Sequence, residues 1–469
     1  MTARSASFRI GRVRAYLRGR VWYLAYQEDG LRRQPRVGPD RQAAKQMAAE
    51  INSQLEVGAP SALGFQPISV FELRHNWLDH HEQVRRSSLA TICRYRTATQ
   101  HLLDFVEAVC PVKRVSDFRP QHASEFVRYL RQKKVAPSGH RRARQRPLRD
   151  AGIKFILETC CSLFNYAVRQ RHLPSYADNP FRTIEVSRIP VEDSKIVIPF
   201  TAEQEVLLLQ ACDDWQFPIF LTLLFTGLRP GELVHLLLPD DLDLEQGWLR
   251  IRNKPQLGWQ VKTRNEREIP LVPVLKDVLG RLVATRATGP VFIQRRCFAD
   301  HQPPLVDRSR KSLEQEVSKR LLLQEKMHDA SLTRIDRQEV TRTIWRDLGA
   351  LKEDWIRKDF MLLTKAIGLP ETTAPKTLRH TFATALQDAN VDPLIRNELM
   401  GHAPAGLGLS GRSLGMTAVY THTRPETKRR CLETAFVERP ALKYACHRAG
   451  CSNVVEVLGS VDGDAELTT

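Results

Sequence analysis

Two arginine-bearing segments stand about 150 residues apart in a chain of 469: Phe225-Thr226-Gly227-Leu228-Arg229-Pro230-Gly231-Glu232-Leu233 and Thr377-Leu378-Arg379-His380-Thr381-Phe382-Ala383-Thr384. Each sets its arginine at the threshold of a helix. Gly-Leu-Arg-Pro-Gly is a turn leading into a helix from Glu232, and 378–388 has helical spacing with Arg379 in its first turn. Helix N-termini favour anions. A guanidinium keeps its charge and can donate paired hydrogen bonds to two oxygens of one phosphate. Either arginine alone reads as a structural ion-pair partner. Met400-Gly401-His402 and Val419-Tyr420-Thr421-His422 follow. The set is then ordered: two arginines able to grip a phosphodiester, a histidine, and a phenol able to attack it.

The charge balance suits such a substrate. Seventy-one Lys and Arg against 53 Asp and Glu give a formal charge of +18, with a pI near 9.7. A chain this basic favours a polyanionic partner, nucleic acid being the commonest. No run of about 18 apolar residues occurs, so no membrane span is expected. Met1-Thr2-Ala3-Arg4 lacks the apolar stretch of a signal peptide, so the expected location is cytoplasmic. Nine scattered cysteines, an odd number in a long chain, argue against a disulfide framework. Cys446, His447 and Cys451 offer ligating atoms, but no second ligand pair follows, and neither metal nor cofactor is expected.

At this length two to four domains are expected. Residues 1–66 read as a small module of three strands, over 8–16, 21–26 and 31–37, and a helix capped by Asp40. Eleven basic residues against five acidic ones crowd it. Arg12, Arg14, Arg18 and Arg20 lie in or beside its strands, where a thin basic sheet suits a DNA groove. A solvated charged face is the other reading of the same pattern. Residues 68–181 read as a helical domain, with helices opened by Ser69, by Ser87-Ser88 and by Arg119-Pro120. A fourth spans about 148–171, its Ile153, Ile156, Leu157, Cys160, Phe164 and Ala167 falling on one face. Between the third and fourth, 131–149 holds eight basic residues and no acid. Arg141, Arg142, Arg144 and Arg146 there are candidate contacts to backbone phosphate.

Thr201-Ala202-Glu203-Gln204 is a capping box opening the last large domain, 200–435. Within it, 248–252 and 267–271 read as strands flanking a turn near Lys262-Thr263, and 298–374 reads as a charged helical insertion. One helix is expected after Thr423, and 436–469 reads as a C-terminal tail. The expected fold class is mainly α with small β-sheets: a three-stranded sheet plus helix, a helical middle domain, and a mixed α/β third domain.

The motifs in this order carry a resemblance. Over Thr201, 225–238, 262–271, 378–385, 397–402 and 419–422 the chain resembles the tyrosine recombinase family, which includes phage integrases. More weakly, 1–66 is similar to an integrase arm-type DNA-binding module. Likewise 68–181, ending in Phe164-Asn165-Tyr166-Ala167-Val168-Arg169 and Asn179-Pro180, is similar to the helical SAM-like core-binding domain. The resemblance implies site-specific recombination of double-stranded DNA without metal or ATP. Tyr420 is then the nucleophile, giving a 3′-phosphotyrosine and a free 5′ hydroxyl. Lys262 protonates the departing oxygen, His402 donates to phosphate, Glu232 orients Arg229, and His380 packs or buttresses. The implied partners are three: DNA, a homotetramer on two DNA sites, and an accessory DNA-bending or directionality protein. The implied setting is the prokaryotic nucleoid.

The chain departs from the family pattern twice. Lys376 stands where a histidine is usual, three residues before the second arginine. Lysine is a poor base at neutral pH, which favours a phosphate contact there. The gap from His402 to Tyr420 is longer than usual, and 404–415 is rich in Gly, Ser and Leu. Tyr444 is a fallback nucleophile in an unrelated context. Two other functions keep the same fold: a DNA-binding protein with impaired catalysis, and a topoisomerase-like nicking-closing enzyme.

Overall fold

The computed structural model describes residues 6–28, 30–58, 61, 64–136, 143–174, 177–193, 196–299, 309–328, 331–402 and 423–450. Contacts divide the chain into two compact units, Met1–Lys195 and Ile196–Thr469.

The first unit begins with β1 (Ser7–Ile10), β2 (Val13–Arg18), β3 (Val21–Glu28), β4 (Leu31–Arg33), β5 (Arg36–Gly38) and α1 (Arg41–Glu56). The strands run β1-β2-β3-β4, with β5 also on β3. Three strands were expected and five short ones are found among the described residues. The stretch 8–16 divides at the Gly11-Arg12 turn. The stretch 31–37 divides at Pro35, which has no N–H for a ladder. β2 alternates, Val13 and Ala15 buried, Arg14 and Arg18 exposed. Trp22, Leu24 and Tyr26 of β3 pack with Ala44, Ala48 and Ile51 of α1. On the outer face Tyr16 and Tyr23 are cross-strand partners whose rings stack at 5.8 Å.

The helices α2 (Val70–Asp79), α3 (Leu89–Ala108), α4 (Pro120–Gln132) and α5 (Asp150–Arg169) follow, with β6 (Lys134–Val135) and β7 (Arg146–Pro147) between the last two. Ser69 and Ser88 cap α2 and α3 as their positions predict. Each side-chain oxygen takes an N–H that the first turn cannot pair internally. The face read for α5 is the buried one. It meets Trp77, Phe105, Phe126 and Phe181 in one core. Asn179 ties the exit segment back onto α5: its Nδ2 donates to the carbonyl of Cys161 (2.8 Å) and to Asn165 Oδ1 (2.9 Å). Its Oδ1 accepts from the Phe181 N–H.

The second unit contains α6 (Ala202–Ala211), α7 (Gln216–Thr226), α8 (Pro230–Leu233), β8 (Leu237–Leu238), β9 (Leu242–Asp243), β10 (Trp248–Ile251), β11 (Arg267–Pro270), α9 (Pro273–Val283), β12 (Gly289–Pro290) and α10 (Arg295–Ala299). It continues with α11 (Arg310–His328), α12 (Arg334–Asp347), α13 (Glu353–Ala366), α14 (Lys376–Asp388), α15 (Pro393–Met400), α16 (Pro425–Phe436) and α17 (Pro440–Arg448). β9, β10 and β11 form an antiparallel sheet, and β8 pairs β12. Thr201 makes the capping box at α6. α7 is apolar all round and wholly buried, so it forms the axis of the core rather than one wall of it.

Two stretches differ from expectation. The stretch 298–374, expected as one insertion, packs in two places. α11 and α12 pair over a small cluster of Leu313, Val317, Val340, Ile344 and Leu348, which closes on Leu237 and Leu257. α13, by contrast, sends Ile356, Phe360 and Leu363 into the main core. Among the described residues two helices, not one, follow Thr423, because Pro440 opens a second after Arg439. Within the expected tail, the region from 436 to Gly450 packs onto this unit. Ala441, Leu442, Ala445 and Cys446 join the main core. Arg439 grips the buried Glu205 of α6, and Arg448 donates to the carbonyls of Leu209 and Cys212 at 2.9 and 2.8 Å. Among the described residues no helix is long and apolar enough to cross a membrane.

Candidate functional site

α7 ends at Gly227, whose φ of +60° is left-handed. A Cβ there would stand 2.4 Å from Cδ1 of Phe382 on α14. Only glycine allows both the turn and the close approach of the two arginine-bearing segments. Arg229 then caps α8, with Pro230 at the first helical position. Glu232 accepts from the Arg229 N–H at 2.9 Å and from its guanidinium at 2.8 Å.

Glu232 has a second partner that local sequence does not reveal. Arg267 opens β11 and donates through Nη1 and Nη2 to both oxygens, at 3.1 and 2.7 Å. Its Nε donates to the carbonyl of Leu399 at 2.9 Å. Burial pushes the Glu232 carboxyl up, but Arg267 and the Arg229 N–H outweigh it, and the net shift is downward. The carboxylate therefore stays charged and fixes Arg229.

Arg379 comes from the first turns of α14. Its Nη1 donates to the carbonyl of Gly227 at 2.6 Å, and its Nη2 donates to the carbonyl of Met400. The same Nη2 lies 3.3 Å from Nε2 of His402. Arginine only donates, so Nε2 is the acceptor and the ring proton sits on Nδ1. Burial, then the nearby Arg229, bring Arg379 down to about 10, which leaves it charged at neutral pH. Desolvation, then Arg379, Arg229 and Arg267, lower His402, which keeps its ring neutral at pH 7.

Gly401 ends α15 with a φ of +64°. A Cβ on it would lie 2.7 Å from Nη1 of Arg267. Its carbonyl accepts from Thr263 Oγ1 at 3.2 Å. The turn holding the exposed Lys262 is thereby fastened beside His402. Four segments distant in sequence thus meet at one corner: the Arg229 turn, the Lys262 turn, the start of α14, and the end of α15.

Lys376 is the exposed first residue of α14, one turn before Arg379. His380 is exposed. Four residues apart, Lys376 and His380 share the outward stripe of α14, while Thr377, Leu378, Thr381 and Phe382 take the buried one. Partial desolvation, then Lys376 and Arg379, lower the His380 ring. Tyr420 lies outside the described residues, as do Arg141 and Arg142. Tyr444 packs, partly buried, against the main core.

Of the basic candidates in the first unit, Arg14, Arg18, Arg20, Arg144 and Arg146 are exposed. Arg12 is tied to α1: its N–H donates to Asn52 Oδ1 at 2.7 Å and its guanidinium to the carbonyl of Leu55. Arg9 and Arg36 were missed. They are exposed and register with Arg14 and Tyr23 on the same sheet face, which period-two counting along β1 and β5 would have found. Among the described residues no group of three or more His, Cys, Asp or Glu could hold a metal ion.

The phage integrase family model matches residues 199–427, the stretch that supplies every residue of this corner. Residues 199–427 are thus similar to the phage integrase family. It is 26% identical over 255 residues to tyrosine recombinase XerC of Thermodesulfovibrio yellowstonii, covering 54% of this chain and 59% of that protein. It is 26% identical over 218 residues to tyrosine recombinase XerA of Pyrococcus furiosus, covering 46% and 53%. The chain therefore spans 59% and 53% of the length of these two relatives. A tyrosine recombinase of Pseudothermotoga lettingae is 24% identical over 356 residues, covering 75% of this chain and 94% of that one. Among solved structures, the Tn1549 transposon integrase in complex with transposon right end DNA aligns with a TM-score of 0.50 and 18% identity, over 78% of this chain and 98% of that chain. That likeness is one of fold. The chain has the expected class, mainly helical with small antiparallel sheets.

Proposed function

We propose that this chain is a site-specific DNA recombinase that cuts and rejoins strands through a 3′-phosphotyrosine on Tyr420. The observation that carries the reading is the corner itself: Arg229 and Arg379 fixed side by side, with His402 and the Lys262 turn fastened next to them. The two guanidiniums receive the non-bridging oxygens of the scissile phosphate, where charge grows as phosphorus becomes five-coordinate. Their partners hold them before substrate arrives, so little reorganisation is left for the reaction. His402 offers its Nδ1–H to the same phosphate.

Tyr420 gives its proton to solvent water and its phenol oxygen attacks phosphorus, because only the phenolate is a strong nucleophile. The bond from phosphorus to the 5′ oxygen breaks, and that oxygen takes the bonding pair and a proton from the Lys262 ammonium. In rejoining, a 5′ hydroxyl displaces the tyrosine and Lys262 recovers the proton. Thr423, three positions after Tyr420, donates to Glu398 on α15 at 3.1 Å. Lys376 adds a cation to the phosphate rather than a base.

Double-stranded DNA is the proposed partner, bound also by the first unit. The outer sheet face with Arg14, Arg18 and Arg20 around Tyr16 and Tyr23 forms the arm-type module, 1–66. The helices of 68–181, with Arg144 and Arg146, form the core-binding domain, and the catalytic domain begins at 200. A homotetramer on two DNA sites, helped by an accessory DNA-bending or directionality protein, working in the cytoplasm on the nucleoid, completes the proposal.

The test is to trap the full chain on nicked duplex fragments from its host element and sequence the linked DNA. The expected adduct forms with the parent chain and vanishes in Tyr420→Phe, which still binds DNA. An adduct that persists in Tyr420→Phe rejects the nucleophile. Binding without any adduct in the parent chain favours the catalytically impaired reading.

A further inference from the structure

We propose that the α11–α12 hairpin is a brace for the turn that carries Lys262, and that Asn253 is the positioning residue through which it acts. The proposal rests on the reading of Lys262 as proton donor and assigns a part to a segment that the mechanism does not use.

The turn is held from inside by Asn253. Its Oδ1 accepts from the Val261 N–H at 2.9 Å, and its Nδ2 donates to the carbonyl of Arg264 at 3.0 Å. Its own N–H donates to Glu266 at 2.8 Å. One amide side chain thus joins both ends of the four residues around Lys262. The turn needs such a fastening, because Arg264 takes a φ of +59°, a conformation that costs a non-glycine residue of order 1 kcal/mol or more.

The hairpin grips the same loop from outside at successive points. Arg310, at the start of α11, donates to the carbonyl of Asn253 at 3.1 Å. Trp345 Nε1 on α12 donates to the carbonyl of Leu257 at 2.9 Å. Gly258 lets α12 come close, since a Cβ there would lie 2.3 Å from Thr341 Oγ1. The Leu257 side chain is 1% exposed inside the hairpin's own apolar cluster. Beneath it, Lys254 is buried against Asp241 at 2.7 Å. The loop is therefore clasped between the sheet and the α11–α12 pair, and its exposed Lys262 adjoins Thr263, which is fastened to the corner.

The first test needs no DNA. Hydrogen–deuterium exchange over 260–265 is compared in the full-length chain and in its Trp345→Phe and Asn253→Ala variants. Exchange should quicken on the order of tenfold in both variants, with α14 unchanged. Wild-type protection of the turn in Trp345→Phe overturns the brace. The second test uses a nicked duplex of the sequence trapped on the enzyme, with oxygen or sulfur at the bridging 5′ position. Sulfur leaves as a thiolate and needs no proton donor. Asn253→Ala should slow cleavage of the oxygen substrate at least about tenfold and leave the sulfur substrate near the parent rate. Equal slowing of both overturns the positioning role. Lys262→Ala, run alongside, separates the two ideas. If it too slows both substrates equally, the proton-donor reading fails, while the exchange result still decides whether the hairpin holds the turn.

Discussion

Arg267 meets Glu232 in a two-point ion pair, at 2.7 and 3.1 Å, with both side chains nearly shut off from solvent. The pair is the floor on which Arg229 stands. Removing Arg267 leaves the buried Glu232 carboxylate with Arg229 as its remaining partner, so Arg267→Ala should lose about 1–3 kcal/mol of unfolding free energy. Urea titration of the full chain checks it. A loss under about 1 kcal/mol would mean that the carboxylate finds another cation.

His235 makes stability depend on acid. Its Nδ1–H donates to the carbonyl of Gly231 at 2.6 Å, and its ring stacks on Trp259 and meets Trp345 edge-on. Burial, aided by Lys254, pushes the ring down to about 4 against the opposing pull of the Gly231 bond. Above the unfolded value near 6.5 the ring is neutral in both forms and its contribution is complete. Between 6.5 and 4 the unfolded chain takes the proton first, and stability falls. The expected loss from pH 7 to 4.5 is on the order of 2–3 kcal/mol more in the parent than in His235→Gln. Parallel losses in unfolding experiments at the two pH values would clear His235 of the effect.

Lys376 carries a charge beside the proposed phosphate site but has solvent around it. Lys376→Ala should slow single-turnover cleavage roughly 10- to 100-fold without abolishing it. An unchanged rate removes Lys376 from the site.

The outer face of the first sheet should be read by salt. Each arginine that touches a phosphate contributes about one unit to the slope of log affinity against log salt. Arg14→Ala with Arg18→Ala should flatten that slope by about two. If the slope stays as it was, the arginines belong to a solvated face.

What the sequence disclosed was local. Ser69, Ser88 and Thr201 cap helices because a cap needs only atoms within about four positions. Arg229 and Arg379 were legible because turn chemistry surrounds each of them. Arg267 was not, since its partner is 35 positions away and nothing beside it in sequence points there. Three expected strands became five because one proline and one glycine turn interrupted patterns that hydrophobicity alone had joined. α13 was hidden in a charged stretch although Ile356, Phe360 and Leu363 keep helical spacing. His380 turns outward between buried neighbours because one step of helical rotation separates it from them.

The small cluster under α11 and α12 includes Leu237 and Leu257, which belong to the parent sheet and loop. Were an ancestor to lose 310–347 in one deletion, both leucines would face water, each at a cost of about 1.5–3 kcal/mol. Survivors would need polar replacements at both positions at once. The hairpin could not be cut away without repair of the two apolar side chains that it keeps from water.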